Sequence, residues 1–300
     1  MKIINFGSLN IDYVYSVPHI VRPEETLSTI GFSQFCGGKG LNQSIAAARA
    51  GVTVFHAGRY GFDGDVLRDT LADSDVKLEH LRKSEVISGH AIIQVESSGQ
   101  NSILITAGAN HELTKEYIDE VLSAVEPGDI LLTQNEVSNV DYIIRAGHEK
   151  NAVVAFNPSP ITPELLEYPL ELADILILNE VEGSAICKDN NTETMLDSLI
   201  KMFPETEIVL TLGKAGGQHY AKGEKTRYNS VPATAVDTTG AGDTFCGYFL
   251  AGKVMGLHTD EILKRASTAS SIAVSRAGAS TSIPSIDEVL SRISNSLTEE

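Results

Sequence analysis

The residues that could do chemistry are densest in the stretch 236–245, where a turn rich in Thr and Gly leads into a helix of small, apolar residues. Its centre reads Gly240, Ala241, Gly242 and Asp243. Glycines let a ligand approach the backbone closely, and the first N–H groups of a helix have no intrahelical partners, so this turn can bind an anion. The Asp243 carboxylate either stabilises the helix start or accepts a proton from a hydroxyl. A carboxylate beside an anion site would hold nucleophile and phosphate together, as phosphoryl transfer requires.

A second run of glycines, Gly37, Gly38 and Gly40, also opens a helix, with Lys39 inside the run and Asn42 one turn beyond it. Backbone N–H groups at such a junction could again face a ligand. The run does not complete a dinucleotide fingerprint, because the third glycine is missing, and no Ser or Thr follows the lysine as in a Walker A loop. A tight turn whose glycines serve packing is the alternative interpretation.

Polar side chains follow two of the predicted strands. Asn10 and Asp12 come after the first strand, where open α/β sheets bind ligands, and an amide with a carboxylate can bind several sugar hydroxyls. A simple turn would explain the same pair. Asn179 and Glu182 can form a capping box, or Glu182 can orient a hydrated Mg²⁺ ion, which needs few carboxylates. The loop 211–216 indicates no chemistry by itself.

The composition excludes several classes of partner. The 300 residues carry 23 Lys and Arg against 40 Asp and Glu, a formal net charge of −17. Without a basic cluster, this excess argues against nucleic acid and anionic membranes as partners. No apolar stretch has the length of a membrane span, and no signal peptide is present, so we expect a cytoplasmic protein. Three cysteines without C-x-x-C spacing predict free thiols, and zinc and serine hydrolase motifs are missing.

These residues need a scaffold, and the sequence predicts an α/β fold in which helices cover both faces of a largely parallel sheet. The predicted strands are 2–8, 52–57, 130–134, 152–156, 174–178 and 207–212. The predicted helices are 38–50, 63–74, 114–124, 139–149, 180–187, 192–203, 240–255, 259–275 and 285–296. Strands separated by helices of this length indicate right-handed βαβ crossovers.

Two β-rich stretches interrupt this alternation. Residues 12–35 have extended character without a helical period, and residues 90–96 with 102–106 form a predicted hairpin. If these stretches pair, they form a small sheet outside the main one, with an exposed face that a substrate or a partner subunit must cover. Another hairpin is predicted over 216–221 and 225–231.

The two glycine-rich runs, in this order and at this separation, resemble the two signatures of the ribokinase-like carbohydrate kinases, also called the phosphofructokinase-B family. The resemblance covers about residues 2–289 and is greatest to the ribokinase branch, which the segments 106–110, 134–136 and 157–160 also match. It implies a three-layer αβα fold with a small β-sheet lid. It also implies ATP-dependent phosphorylation of the primary hydroxyl of a pentose, with D-ribose as substrate and ribose 5-phosphate as product.

The resemblance assigns a role to each candidate residue. The sugar would be bound by Asn10, Asp12, Gly38, Lys39, Gly40, Asn42, Glu136 and Asp243. Asp243 would be the general base, with the N–H groups of Gly240, Ala241 and Gly242 as an anion hole. The nucleotide would contact Asn179, Thr211, Gly213, Lys214, Gly216, Gly242 and Ser267. Glu182 would orient a hydrated Mg²⁺ ion. A monovalent cation, K⁺ by the same resemblance, would bind at Asp237, Thr239, Ala273, Arg276, Gly278 and Ser282.

The same resemblance divides the chain into a main domain and a lid. Residues 1–11, 36–89 and 107–300 would form the main domain, and residues 12–35 and 90–106 the lid, through which two subunits of a homodimer would pair. Two positions depart from the usual family pattern. Glu24 stands where ribokinases usually have a glycine, and Ser267 stands where a histidine often contacts adenine.

Two alternative functions stay open. The chain could phosphorylate another sugar or a nucleoside, or it could be a sugar-responsive binding protein that has lost catalysis. Retention of Asp243, the run 240–242 and Glu182 argues against the binding protein.

Overall fold

The computed structural model describes residues 1–296. Its strands are β1 (Ile3–Phe6), β2 (Asn10–Val17), β3 (Gly31–Gly37), β4 (Val54–Tyr60), β5 (Leu81–Lys83), β6 (Gly89–Glu96), β7 (Asn101–Thr106), β8 (Ile130–Gln134), β9 (Val153–Asn157), β10 (Ile175–Asn179), β11 (Glu207–Thr211), β12 (Gly217–Ala221) and β13 (Glu224–Tyr228). Its helices are α1 (Lys39–Arg49), α2 (Asp65–Ala72), α3 (Lys115–Leu122), α4 (Val140–Glu149), α5 (Glu180–Cys187), α6 (Thr192–Met202), α7 (Ala241–Val254), α8 (Thr259–Val274) and α9 (Ile286–Ser296). The predicted elements are found with ends shifted by a few residues at most.

Over the described range, the central sheet has the strand order β13-β12-β11-β10-β9-β8-β1-β4-β5. Strands β5, β4, β1, β8, β9, β10 and β11 run parallel to one another, and the hairpin β12–β13 adds two antiparallel strands at one edge. The predicted α/β class is therefore confirmed. The sequence analysis did not predict β5, because a strand of three residues is too short to show a period of two.

Burial explains why the inner strands read as apolar runs. All four residues of β1 are buried, so helices must cover both faces of this strand. Ile3 belongs to a hydrophobic cluster that includes Leu41 of α1 and Phe249 of α7. Its neighbour Ile4 belongs to a second cluster on the other face, which includes Ile143 of α4. The molecule therefore has three layers, and the two glycine-rich runs begin helices of the same layer.

A second sheet with the order β3-β2-β6-β7 lies outside the main one. The predicted hairpin is found as β6 and β7, and β2 pairs with β3 antiparallel and with β6 parallel. One detail differs from the sequence analysis. Asn10 pairs with Gly37 and Gly89 on its two sides, so the alternative interpretation of Asn10 and Asp12 as a simple turn is wrong, whereas the extended conformation predicted from Asp12 onward is found.

The second sheet leaves large apolar side chains uncovered. Phe32 of β3 is 54% exposed, and Leu104 and Ile105 of the edge strand β7 are 65% and 68% exposed. An apolar sheet with an open edge favours contact with another surface. In the part of the chain described, no helix combines the length and apolar character needed to cross a bilayer.

Candidate active site

The helices that follow the two glycine-rich runs, α1 and α7, meet at the carboxylate of Asp243. This residue lies in the first turn of α7 and is only 8% exposed. Its Oδ2 accepts a hydrogen bond from Nδ2 of Asn42 at 3.0 Å, and its Oδ1 accepts one from Nε2 of Gln43 at 2.9 Å. Helices α1 and α7 can pack this closely because Gly247 faces Ala46, whose Cβ would lie 2.5 Å from a Cβ added at position 247. Residues about 200 positions apart in the chain thus form one site.

The start of α7 offers backbone donors that are free or only weakly bonded. Gly240 precedes the helix with a φ of 73°, in the left-handed region that favours glycine. The N–H of Ala241 donates to the carbonyl of Thr238 at 3.3 Å, a long hydrogen bond. Gly242 is different, because a Cβ added there would meet nothing within 4 Å. Packing therefore does not explain a glycine at this position, whereas a ligand lying against the backbone would.

The glycines that open α1 serve packing instead. Gly38 has a φ of 95°, and a Cβ added there would lie 3.1 Å from the carbonyl oxygen of Ser8. At Gly40 the added Cβ would lie 2.2 Å from the backbone nitrogen of Ser8. This part of the structure matches the alternative interpretation of the run, a turn pressed against the chain between β1 and β2. The polar residues Lys39 and Asn42 lie in the first turn of α1, directly after these glycines, and remain available for ligands.

Side chains expected to bind the sugar already have hydrogen-bond partners within the protein. Oε2 of Glu136 accepts hydrogen bonds from the Ser8 hydroxyl and from the N–H of Lys39, the latter at 3.0 Å. Oδ1 of Asn10 accepts one from Nδ2 of Asn110 at 2.8 Å. These contacts fix the two side chains before a ligand arrives, so a sugar would meet polar atoms already in place.

The charges around this pocket perturb one another. Burial, and secondly the carboxylate of Glu136, raise the pKa of Asp12 to about 6. Burial likewise raises the pKa of Glu136. Burial opposes the charge on Lys39, but the carboxylates of Asp243, Glu136 and Glu182 outweigh it and hold the pKa of Lys39 above its ordinary value. The Lys39 ammonium therefore stays charged among three carboxylates.

A cavity of about 650 Å³ opens on the other side of the α7 start. Among the residues that line it are all seven that the sequence analysis assigned to the nucleotide, namely Asn179, Thr211, Gly213, Lys214, Gly216, Gly242 and Ser267. Apolar side chains such as Val181, Pro232 and Phe245 line it as well. This volume and this mixed lining suit a nucleotide whose base needs apolar contact and whose phosphates need backbone donors.

Glu182 forms the predicted capping box with Asn179. Its Oε2 accepts a hydrogen bond from the Asn179 N–H at 2.8 Å, and its Oε1 accepts one from Asn179 Nδ2 at 3.0 Å. Each carboxylate oxygen keeps a further lone pair, so Glu182 could still accept hydrogen bonds from the waters of a hydrated Mg²⁺ ion. The described residues contain no cluster of three or more His, Cys, Asp or Glu side chains able to hold a metal directly. The donor set thus fits an ion that arrives with phosphates and keeps its waters.

The six residues predicted to bind a monovalent cation lie on two adjoining segments, before α7 and around the end of α8. Oδ2 of Asp237 accepts a hydrogen bond from the N–H of Gly278 at 3.0 Å, which joins the segments. Oδ1 of Asp237 accepts two hydrogen bonds from Thr239, at 2.9 Å and 2.7 Å. The guanidinium of Arg276 is paired with Glu288 and, as a cation without acceptor atoms, could not bind K⁺, so only the backbone carbonyl of Arg276 is a possible ligand. One carboxylate with backbone carbonyls is an oxygen donor set that suits an alkali cation.

Sequence reasoning missed several residues of the site. Gln43 contacts Asp243 directly, Asn110 holds Asn10, and Ser8 holds Glu136. The available signal was a polar side chain at a position where the helix or strand period requires burial, as at Gln43, which is fully buried. Only the partners, far away in the chain, show what these side chains do.

Comparisons with known proteins agree with this geometry. The description pfkB family carbohydrate kinase matches residues 1–286. The ribokinase of Haemophilus influenzae is 32% identical over 293 residues, which cover 95% of each chain. A solved ribokinase from Cryptococcus neoformans in complex with ADP is 33% identical, with a TM-score of 0.86 over 97% of this chain and 99% of its own. Arabidopsis thaliana ribokinase, solved with ribose and ATP, is 29% identical with a TM-score of 0.86 over 97% of both chains. The chain belongs to the pfkB family of carbohydrate kinases, which are phosphotransferases with an alcohol group as acceptor.

Proposed function

We propose that the protein is an ATP-dependent ribokinase, which converts D-ribose and ATP into ribose 5-phosphate and ADP. One observation carries the proposal: the buried Asp243 carboxylate is joined to the start of α1, where Asn42 donates to it and the N–H of Lys39 holds Glu136, and it directly follows Ala241 and Gly242, which line the cavity at the start of α7. A sugar hydroxyl in the pocket and a γ-phosphate at the helix start would therefore meet at this carboxylate. The solved relatives that bind ADP, or ribose and ATP, support the same pair of substrates.

The reaction follows from these positions. Asp243 accepts the proton of the ribose 5-hydroxyl. At the same time, the oxygen of that hydroxyl forms a bond to the γ-phosphorus of ATP. The bond between that phosphorus and the oxygen bridging to ADP breaks, and the electron pair leaves with ADP. The N–H groups of Gly240, Ala241 and Gly242 face the charge on the transferred group, since the start of α7 carries the positive end of the helix dipole.

Cations complete the charge balance. The Lys39 ammonium, which the surrounding carboxylates keep protonated, offsets negative charge between the two substrates. Glu182 would orient the waters of Mg²⁺, which shields the phosphate oxygens when it is bound with ATP. The segments around Asp237 and Gly278 would hold a monovalent cation, for which we propose K⁺, and so fix the turn that carries the anion hole.

The remaining assignments concern the lid and the surroundings. We assign residues 12–35 and 90–106 to a lid that covers the sugar and keeps water from accepting the phosphoryl group. The exposed Phe32, Leu104 and Ile105 on this sheet favour a homodimer paired through the two lids. We place the reaction in the cytoplasm, because the three cysteines are free thiols, as a reducing compartment keeps them.

The proposal is tested by ADP release across pentoses, hexoses and nucleosides, with and without K⁺. D-ribose should give the highest kcat/KM. Asp243→Asn should lower kcat at least about 100-fold and leave the affinity for ATP nearly intact, since a positioned base contributes about 10²–10⁴ in rate. Asp65 also lies in the first turn of a helix, α2, so Asp65→Asn is the matched control. If both variants lose only stability, Asp243 merely supports its helix and the assignment as base is wrong.

The dimer is tested separately by sedimentation at micromolar concentration. Leu104→Asp places a charge on the exposed lid strand and should halve the measured mass by opposing burial of that surface. Leu166, 53% exposed but outside the two sheets, provides the control Leu166→Asp, which should leave the dimer intact. A monomeric mass for the unaltered protein would contradict pairing through the lid.

A further inference from the structure

A network of buried amides lies directly behind Asp243. Gln43 and Gln134 are 0% and 1% exposed. Nε2 of Gln43 donates to Oδ1 of Asp243 at 2.9 Å and to Oδ1 of Asn157 at 3.1 Å. Nε2 of Gln134 donates to Oε1 of Gln43 at 2.9 Å and to Oδ1 of Asn5 at 2.9 Å. The base thus depends on a chain of hydrogen bonds that runs through α1 into the central sheet.

The network determines which end of the Gln43 amide faces Asp243. If that amide were reversed, its oxygen would face two other oxygens, of Asp243 and Asn157, and its NH₂ group would face the NH₂ group of Gln134. The thiol of Cys246 also donates to Oε1 of Gln43, at 3.5 Å. Donors on one side and acceptors on the other therefore allow a single orientation, in which Gln43 donates to the carboxylate.

The far end of the network is anchored in the core. Nδ2 of Asn5 donates to the Ser44 hydroxyl at 2.8 Å, and Ser44 Oγ lies 2.9 Å from Nδ1 of His56. Nε2 of His56 is 3.1 Å from the carbonyl oxygen of Gly7. Burial lowers the pKa of His56 to about 4, so the imidazole stays neutral and donates through Nε2 above that pH. The network therefore keeps one set of donors and acceptors through the neutral range.

We propose that Gln43 and Gln134 are positioning residues for phosphoryl transfer, and that Gln134 acts on Asp243 only through the amide of Gln43. The inference rests on the proposed function, because it assigns these amides the task of keeping the carboxylate of the base correctly rotated. A carboxylate held by a fixed amide donor meets the hydroxyl in one geometry. Gln134 makes no hydrogen bond to Asp243, so its effect would have to pass through Gln43.

The test replaces Gln134 by Met, which has nearly the same shape but no amide. Gln134→Met should lower kcat about 10-fold and leave the KM values for ribose and ATP within about 2-fold, because the amide affects the base more than substrate binding. Thr133, the preceding residue, is fully buried and donates to the carbonyl of Phe6 at 3.0 Å, so Thr133→Val is a matched control that should change neither quantity.

Gln134→Glu provides a second variant of the same shape. Its carboxyl group can donate at most one of the two hydrogen bonds, so kcat should fall in this variant as well. It replaces the Met variant in the test if that variant does not fold.

A double-mutant cycle separates this inference from the proposed function. In the Asp243→Asn background, Gln134→Met should change the residual rate less than about 2-fold, because the amides no longer have a base to position. If Asp243→Asn alone leaves turnover intact, the proposed function fails. If Asp243→Asn lowers turnover while Gln134→Met leaves kcat unchanged, or lowers the rate equally in both backgrounds, only the inference fails.

Discussion

The sugar side and the nucleotide side of the site are built in different ways. On the sugar side, Asn10 and Glu136 are side chains that neighbouring groups already hold by hydrogen bonds. On the nucleotide side, the cavity of about 650 Å³ is lined largely by small or apolar residues, and its start at Gly242 exposes backbone. If the proposed roles are correct, side chains select the sugar, whereas backbone donors bind the phosphates, which every nucleoside triphosphate shares.

The same difference appears in the charges. Burial and the nearby Glu136 carboxylate raise the pKa of Asp12 to about 6, so ionised Asp12 is held in the sugar pocket at a cost in free energy. Such a cost is expected where a group serves binding and not folding. The nucleotide side holds no comparable buried carboxylate apart from Glu182, which its capping box stabilises. Substitutions on the two sides should therefore change stability and activity in different combinations.

Among the substitutions that compare the two sides, the largest effect is expected for Asp12→Asn. The amide lacks the charge that strengthens hydrogen bonds to the sugar hydroxyls, so kcat/KM for ribose should fall about 10–100-fold, while the KM for ATP changes little. Initial rates measured with each substrate varied in turn check this. An equal rise in both KM values would show that the sugar side and the nucleotide side are not independent, and it would contradict the difference described between them.

The same variant should be more stable than the unaltered protein at neutral pH. The pKa of Asp12 is raised from 3.8 to about 6 on folding, so the folded state binds a proton more tightly than the unfolded chain does. The destabilisation from ionised Asp12 is therefore complete above pH 6 and disappears as the pH falls towards 4. We expect Asp12→Asn to raise the free energy of unfolding by about 1–3 kcal/mol at pH 7. Urea unfolding at pH 7 and pH 4 checks this, and a gain of the same size at both values would contradict it.

On the nucleotide side, Gly242→Ala should separate activity from stability in another way. A Cβ at this position meets nothing within 4 Å, so Ala should stabilise the start of α7 by up to about 1 kcal/mol through its higher helix propensity. The added methyl group would nevertheless hold the γ-phosphate away from the backbone donors and lower kcat at least about 10-fold. Turnover and thermal unfolding measured together check both parts.

Gly247→Ala on the same helix is the matched control. Its Cβ would lie 2.5 Å from that of Ala46, so this variant should lose stability instead of gaining it. If Gly242→Ala keeps full kcat, then the start of α7 does not contact the transferred group, and the nucleotide side needs another anion site.

Local features of the sequence predicted much of the fold and part of the candidate site. The run 240–243 indicated an anion site with a carboxylate, because loop glycines and a helix start need only neighbouring residues. The amides could not be predicted in this way. The hydrogen bond from Gln134 to Asn5 joins residues 129 positions apart, and Asn110 reaches Asn10 across 100 positions. Their contacts depend on strand order, which periodicity alone does not determine.

The lid shows the same limit. Its strands were predicted from alternation and turn residues, but the parallel pairing of β2 with β6 follows from the path of the whole chain. The pairing begins at Asn10, two residues before the predicted extended stretch 12–35. A local pattern thus predicted the extended conformation of Asp12 but not the strand partners that surround it.

The smallest effect is expected at the lid turn, where Glu24 stands in place of the family's usual glycine. Glu24 has a φ of 66°, a left-handed conformation that costs a non-glycine residue about 1–2 kcal/mol. Glycine relieves this cost but loses about 0.5–1 kcal/mol in chain entropy, so Glu24→Gly should stabilise the protein by less than about 1 kcal/mol.

Lys222, in the turn between β12 and β13 with a φ of 51°, provides the matched variant Lys222→Gly on the nucleotide side. Both should raise the melting temperature slightly, but only Glu24→Gly should change the KM for ribose, by no more than about 2-fold, because only the turn at Glu24 connects strands of the sheet that carries Asn10 and Asp12. Equal kinetic effects from both turns would mean that the lid does not act separately from the main domain.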